Sequence, residues 1–190
     1  MGQYYIAVIL GPEPTNGEPK EFIRVWLESH GYGGGSKLME HSYINNGFTN
    51  AVERLLSPLG PHWKSRVVWA GDYADKEPGY DEEGNNLAWI AYEKEEGKQQ
   101  APSGESLPSE YRYVVNHTKR QYVDKSRSLI DGYGFQIHPL PLLTAEGNGR
   151  GGGDYRGRDE SLVGTWARDV ISVEKEVPEG YSELVCEFAE

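Results

Sequence analysis

The residues best placed by type and spacing to do chemistry crowd into one segment, Glu146-Gly147-Asn148-Gly149-Arg150-Gly151-Gly152-Gly153-Asp154-Tyr155-Arg156-Gly157-Arg158. Six of the eleven residues from Gly147 to Gly157 are glycine. Ordering glycine costs more backbone entropy than ordering any other residue, so a fixed loop of this composition brings backbone N–H groups close to something. Arg150, Arg156 and Arg158 add cations, and the arginine fork suits bidentate contacts to phosphate or carboxylate. One expectation is a phosphate cradle built from Gly149, Gly151, Gly152, Arg150 and Arg156. The plainer one is a surface loop whose arginines are neutralised by Glu146, Asp154 and Asp159, and both stay open. Gly147-x-Gly149-x-x-Gly152 has the spacing of a dinucleotide fingerprint, but Gly153 to Gly157 offers no helix to supply the dipole. No Gly-Lys-Ser/Thr follows to make a P-loop.

Acid–base candidates are fewer. Asp72 follows the apolar run Val67–Ala70, and a carboxylate at a strand exit beside Gly71 suits proton transfer or an ordinary turn. The histidines are His30, His41, His62, His117 and His138. No two stand four apart and no HExxH occurs, so no metal centre is expected. His117, in a turn beside Asn116 and Thr118, and His138, opening an apolar run, are candidate general bases; as lone histidines each also fits a structural role. His41-Ser42 and His117-Thr118 lack the intervening residue of the His-x-Ser/Thr pair found in two-histidine phosphoesterases. Trp69, Tyr155 and Trp166 are candidate stacking surfaces for a planar ligand. Cys186 is the single cysteine, which excludes an internal disulfide and a thiolate zinc cluster. Its alternation with Leu184 and Phe188 predicts a buried, inert thiol.

Several elements must position these groups. Tyr4 to Leu10 and Glu21 to Leu27 read as strands of a hairpin, joined by a loop holding three prolines and Asn16-Gly17. Ile44 to Leu56 is the one convincing helix: Phe48, Ala51, Val52, Leu55 and Leu56 repeat at helical spacing, Asn45 or Asn46 caps it, and Pro58 and Gly60 stop it. Arg66 to Ala70 reads as a buried strand and Leu87 to Tyr92 (LAWIAY) as another. Tyr111 to Asn116 and Arg120 to Asp124 form a second hairpin. Pro139 and Pro141 confine Ile137 to Leu143 to an edge or an extended run. Asp169 to Val173 and Glu183 to Phe188 close the chain as strands. The polar stretch 93–109 is expected to be a mobile excursion.

The chain has 190 residues, enough for one domain spanning 1–190, with 30 acidic against 19 basic residues and a net charge of −11. Such a field repels phosphate backbones, so duplex nucleic acid and anionic membranes are disfavoured partners. The 24 glycines and 11 prolines argue against a helical bundle. The predicted fold is α+β: a mostly antiparallel twisted sheet or partly open barrel, with the helix at 44–56 packed on one face. The N-terminus has no basic n-region, and Ile6 to Leu10 is too short for a signal or a membrane span, so a cytoplasmic location is expected.

The blocks Met1-Gly2-Gln3-Tyr4-Tyr5, Lys37-Leu38-Met39-Glu40-His41-Ser42, Val68-Trp69-Ala70-Gly71-Asp72-Tyr73, Asn116-His117-Thr118-Lys119, His138-Pro139-Leu140-Pro141-Leu142-Leu143 and the Glu146–Tyr155 loop together resemble a family of small uncharacterised proteins of bacteria, gut metagenomes and phages. The similarity spans nearly the whole chain. It implies a fold-sized unit of prokaryotic or phage origin and brings no activity with it.

The residues point first to a binding module for a small anionic, nucleotide-like ligand. Phosphates would rest on the Gly/Arg loop and the base on Trp69, Tyr155 or Trp166; in a phage this would sequester a host defence signal. A hydrolase or transferase acting on a nucleotide or phosphoester is the alternative, with Asp72, His117, His138 and Glu146 around the same arginines. A third reading is an acidic inhibitor directed at a protein partner. No cofactor is expected.

Overall fold

The computed structural model describes residues 2–13, 23–80, 85–93, 103–147 and 155–189. All six residues of β1 (Tyr5–Leu10) are buried, which explains its unbroken apolar run. Successive side chains leave opposite faces of a strand, so Tyr5, Ala7 and Ile9 enter one core while Ile6, Val8 and Leu10 enter a second. β1 pairs antiparallel with β2 (Ile23–Glu28) on one side and β3 (Ser65–Gly71) on the other. The chain then adds β4 (Tyr113–Asn116), β5 (Gln121–Asp124), β6 (Ala145–Glu146), β7 (Val170–Glu174) and β8 (Ser182–Glu183). They form one open sheet in the order β2-β1-β3-β7-β4-β5-β8, with β6 beside β3; only the β3–β6 and β5–β8 ladders are parallel.

Helices cover both faces. After the single turn α1 (Leu38–His41), α2 (Gly47–Leu56) packs Phe48, Val52, Leu55 and Leu56 into the first core. Each such side chain contributes about 1.5–3 kcal/mol when fully buried. The helix starts three residues later than its apolar period suggests. Asn45 sits at φ 68, outside the helical region, and the Asn46 side chain accepts from Phe48 N–H at 3.0 Å and Thr49 N–H at 3.3 Å.

Three elements differ from their sequence reading. Leu87–Glu93 is a helix, α3, rather than a strand. Six apolar residues fit either period; what decides is Asn86, whose side chain accepts from Trp89 N–H at 3.1 Å, and the second core, which takes up Leu87, Ala88, Ile90 and Ala91. Pro139–Leu143 is a helix, α4, rather than an extended run. Its prolines occupy the first turn, where no N–H donor is needed, and the His138 ring caps Leu140 N–H at 3.2 Å. Of Glu183 to Phe188, only Glu183 joins a ladder. The described end of the 93–109 stretch docks on α2, where Asn50 Nδ2 donates to Gly104 O at 2.9 Å and Arg54 Nε to Glu105 O at 2.9 Å; residues 94–102 lie outside the described residues.

Candidate functional site

Strand register brings four chain segments together. Leu10 at the end of β1 lies opposite Ile23 of β2 and Arg66 of β3, and Arg66 lies opposite Val170 of β7. A hollow of about 330 Å³ opens there, lined by Arg24, Trp63, Lys64, Arg66 and Glu13 among others. Arg24 projects from β2 into solvent, and Trp63 and Lys64 come from the turn before β3. Neither Arg24 nor Lys64 has an ion-pair partner among the described residues. Lys64 stands 4.2 Å over the Trp63 ring, and Arg66 donates from Nε to Arg168 O at 3.0 Å. Among the described residues, three cations and one carboxylate line this hollow in a chain of net charge −11. Burial and then Arg24 lower the pKa of the neighbouring His62, which keeps that ring neutral.

Trp63 is held in place by a directed chain of hydrogen bonds. Its Nε1–H donates to Glu174 Oε1 at 2.6 Å, and Ser172 Oγ–H donates to the same oxygen at 2.7 Å. Because an ionised carboxylate only accepts, Ser172 spends its proton there and accepts from His117 Nε2–H at 2.8 Å. His117 Nδ1 is left to accept Tyr181 O–H at 3.0 Å. Burial, then Lys64, lower the pKa of His117, so the ring is neutral and the chain intact at neutral pH. His117 thus stands three hydrogen bonds behind Trp63.

His138 belongs to a different cleft, of about 240 Å³, between α2 and the β4–β5 hairpin. Its floor is Glu53 of α2, paired with Lys125 and 2.9 Å from His138 Nε2. Burial raises the Glu53 pKa, but His138 and Lys125 outweigh it and hold the carboxyl ionised. His138 Nδ1 accepts Leu140 N–H, so Nε2 carries the proton. That N–H lies at contact distance from Glu53 without hydrogen-bond alignment, and Nε2 is buried with no hydrogen-bond partner. Burial lowers the His138 pKa against the pull of Glu53. The cleft is thus floored by an ion pair beside a neutral imidazole.

The remaining candidates do not converge on either cavity. Asp72 lies at the far end of β3, on the opposite face of the sheet from His138. Trp69, Tyr155 and Trp166 are buried, at 0%, 0% and 1% exposure, so none presents an open stacking face. Each serves packing: Trp69 stands 5.6 Å from Phe48 and donates to His41 Nε2 at 2.9 Å, Tyr155 packs 5.7 Å from Phe188, and Trp166 Nε1 donates to Gln121 Oε1 at 3.3 Å. Glu146 pairs with Arg168, which Glu77 holds from the other side. Arg156 is exposed 3.7 Å from Glu160, and Arg158 lies 4.0 Å from Glu187. Arg150, Gly149, Gly151 and Gly152 lie outside the described residues. Cys186 is half-buried with its thiol pushed up to about 12 by burial, an unreactive state.

Sequence reading missed Trp63, Arg24, Lys64, Arg66, Glu53 and Lys125. A signal existed for the first hollow, since Trp63-Lys64-Ser65-Arg66 places an aromatic and two cations within four residues. None existed for Glu53, whose helical neighbours Thr49, Asn50 and Ser57 are polar and suggest a solvated stripe. Among the described residues no cluster of three or more His, Cys, Asp or Glu side chains could hold a metal ion, and no helix is long and apolar enough to cross a membrane. No protein-family model, curated protein or solved structure matches the chain.

Proposed function

We propose that the protein binds a small anionic ligand with a planar group, a nucleotide-like molecule, in the hollow at the Arg66 end of the sheet. One observation carries this reading: two cations with no ion-pair partner among the described residues, Arg24 and Lys64, converge with Arg66 beside the half-exposed Trp63 in an otherwise strongly acidic chain. A volume of about 330 Å³ stands at the small end of ligand sites and suits a mononucleotide rather than a polymer. Arg24 and Lys64 would meet the phosphate, and the Trp63 ring, anchored by Glu174, would meet the base. In a phage, such a protein would sequester a host signal.

Thermal melting across a panel of cyclic and linear nucleotides, with inorganic phosphate as control, tests this. A ligand at 100 times its dissociation constant adds about 2.7 kcal/mol of stability. The expected result is a shift with at least one nucleotide, lost by about tenfold in affinity in Arg24→Ala and in Lys64→Ala. No shift with any member, or a shift that both variants retain, overturns it.

The hydrolase reading is favoured by one feature, the His138 N–H that faces ionised Glu53 without alignment in the second cleft. Mass analysis of the incubated ligand separates the two readings. Unchanged mass supports binding; a changed mass that His138→Gln abolishes supports catalysis.

A further inference from the structure

The opposite end of the same three strands carries a surface of opposite character. Period-two alternation puts Tyr4 on the face of Ile6, Glu28 on the face of Trp26, and Asp72 on the face of Ala70. Ile6, Trp26 and Ala70 all belong to the core under α3, and Ile6 lies opposite both Glu28 and Ala70, so Tyr4, Glu28 and Asp72 gather at one corner. α3 buries Leu87, Ala88, Ile90 and Ala91 there and turns Trp89 and Tyr92 outward. Exposure is 52% for Tyr4, 48% for Trp89 and 40% for Tyr92, and Tyr73, next to Asp72, is 51% exposed.

Contacts join these groups into one patch. Tyr4 N–H donates to Asp72 Oδ1 at 3.0 Å, and Trp89 Nε1–H donates to the Asp72 carbonyl at 3.2 Å. The Trp89 and Tyr92 ring centroids are 6.0 Å apart. Burial, then Glu28 and Asp72, raise the Tyr92 pKa, which places both carboxylates within electrostatic reach of that ring. The Asp72 carboxylate has no cation paired with it among the described residues. Exposed aromatic faces have a negative quadrupole, and with carboxylates beside them they attract a cation while repelling acidic partners. The guanidinium of arginine is planar, weakly hydrated and forked, so it both stacks on indole and grips a carboxylate.

We propose that this corner is a docking site for arginine side chains of an unstructured basic segment of another protein, the guanidinium lying over Trp89 with its N–H groups toward Asp72. Charge complementarity selects that occupant, since a chain of net charge −11 attracts basic polypeptide over long range and the patch supplies the short-range contact. The site shares no residue with the cationic hollow, so it stands or falls separately from the nucleotide reading.

The test is fluorescence anisotropy with the full chain and a labelled decapeptide alternating glycine and arginine. Companion peptides carry lysine or glutamate in place of arginine. Binding is expected in the order arginine, lysine, with none for glutamate, and weakening at high salt. Trp89→Ala should weaken it at least about fivefold and Asp72→Asn about threefold, while Trp89→Phe, which keeps an aromatic face, stays within about twofold of the parent. Glu179→Gln, an equal charge change on a distant exposed turn, should leave it unchanged, and melting curves confirm that each variant folds. Equal binding by Trp89→Ala, Asp72→Asn and Glu179→Gln overturns the proposal in favour of diffuse charge attraction. Absence of peptide binding overturns it too, as does capture by phosphatidylcholine vesicles alone, which would assign the patch to a quaternary ammonium headgroup.

Discussion

His41 shows how a single buried ring becomes tied to pH. Its Nε2 accepts from Trp69 Nε1–H, so the proton sits on Nδ1, which donates to Gly35 O at 3.1 Å. Both nitrogens are thus satisfied by the neutral ring, and burial lowers its pKa to about 4 from an ordinary 6.5. Below pH 6.5 the unfolded chain binds a proton that the folded chain refuses. Stability therefore falls as pH drops from 6.5 to about 4, and this contribution levels off below that, with a total loss of about 3 kcal/mol. Urea unfolding at several pH values should show this slope in the parent and a flatter one in His41→Gln, which keeps a hydrogen-bonding side chain but does not titrate. Equal slopes would refute the assignment. The same logic separates the two histidines with candidate roles: His117 orients Trp63 through Ser172 and Glu174, while His138 faces an ion pair.

At the scale of elements, Arg168 fastens three segments that sequence distance keeps apart. It stands at φ 65 just before β7, and its guanidinium grips Glu146 of β6 on one side and Glu77, from the segment after β3, on the other. Glu77 is buried, with 3% of its side chain exposed. Removing the arginine leaves two carboxylates facing each other without a cation. Arg168→Ala should therefore lose about 3–5 kcal/mol by urea unfolding, whereas the paired replacement Arg168→Met with Glu77→Leu should recover much of it. If the single variant loses less than about 1 kcal/mol, the clamp contributes little. Glu146 is thus engaged by Arg168, while Arg156 and Arg158 lie near Glu160 and Glu187 instead.

Across the whole molecule, β1, β2 and β3 carry cations at one end and aromatic and acidic groups at the other. Six steps along β3 separate Ser65 from Gly71, about 20 Å at 3.3 Å per residue. Sites that far apart with no shared residue act additively. Saturating the hollow with a nucleotide should leave the peptide affinity within about twofold. Reciprocally, Trp89→Ala should leave the nucleotide shift intact and Arg24→Ala the peptide affinity, as read by anisotropy and thermal melting. A tenfold cross-effect in either direction would mean that the two ends communicate.

By itself the sequence determined the α+β class, the buried strand through Arg66 to Ala70, both hairpins and the helix through Phe48, Val52 and Leu55, because hydrophobic period and turn chemistry are local properties. It also read Cys186 as a packing residue, and the side chain stands partly buried against the first core. Only tertiary structure decided the rest. LAWIAY fits either period until Asn86 caps it and the second core accepts its helical face. Trp69, Tyr155 and Trp166 are chemically as fit to stack on a ligand as Trp63, and burial alone takes them out. Arg24 and Arg66 stand 42 positions apart, and strand register, set by pairing across the whole sheet, brings them to one hollow. Which cations lack a partner depends on every carboxylate the fold places nearby, and no window of sequence contains that information.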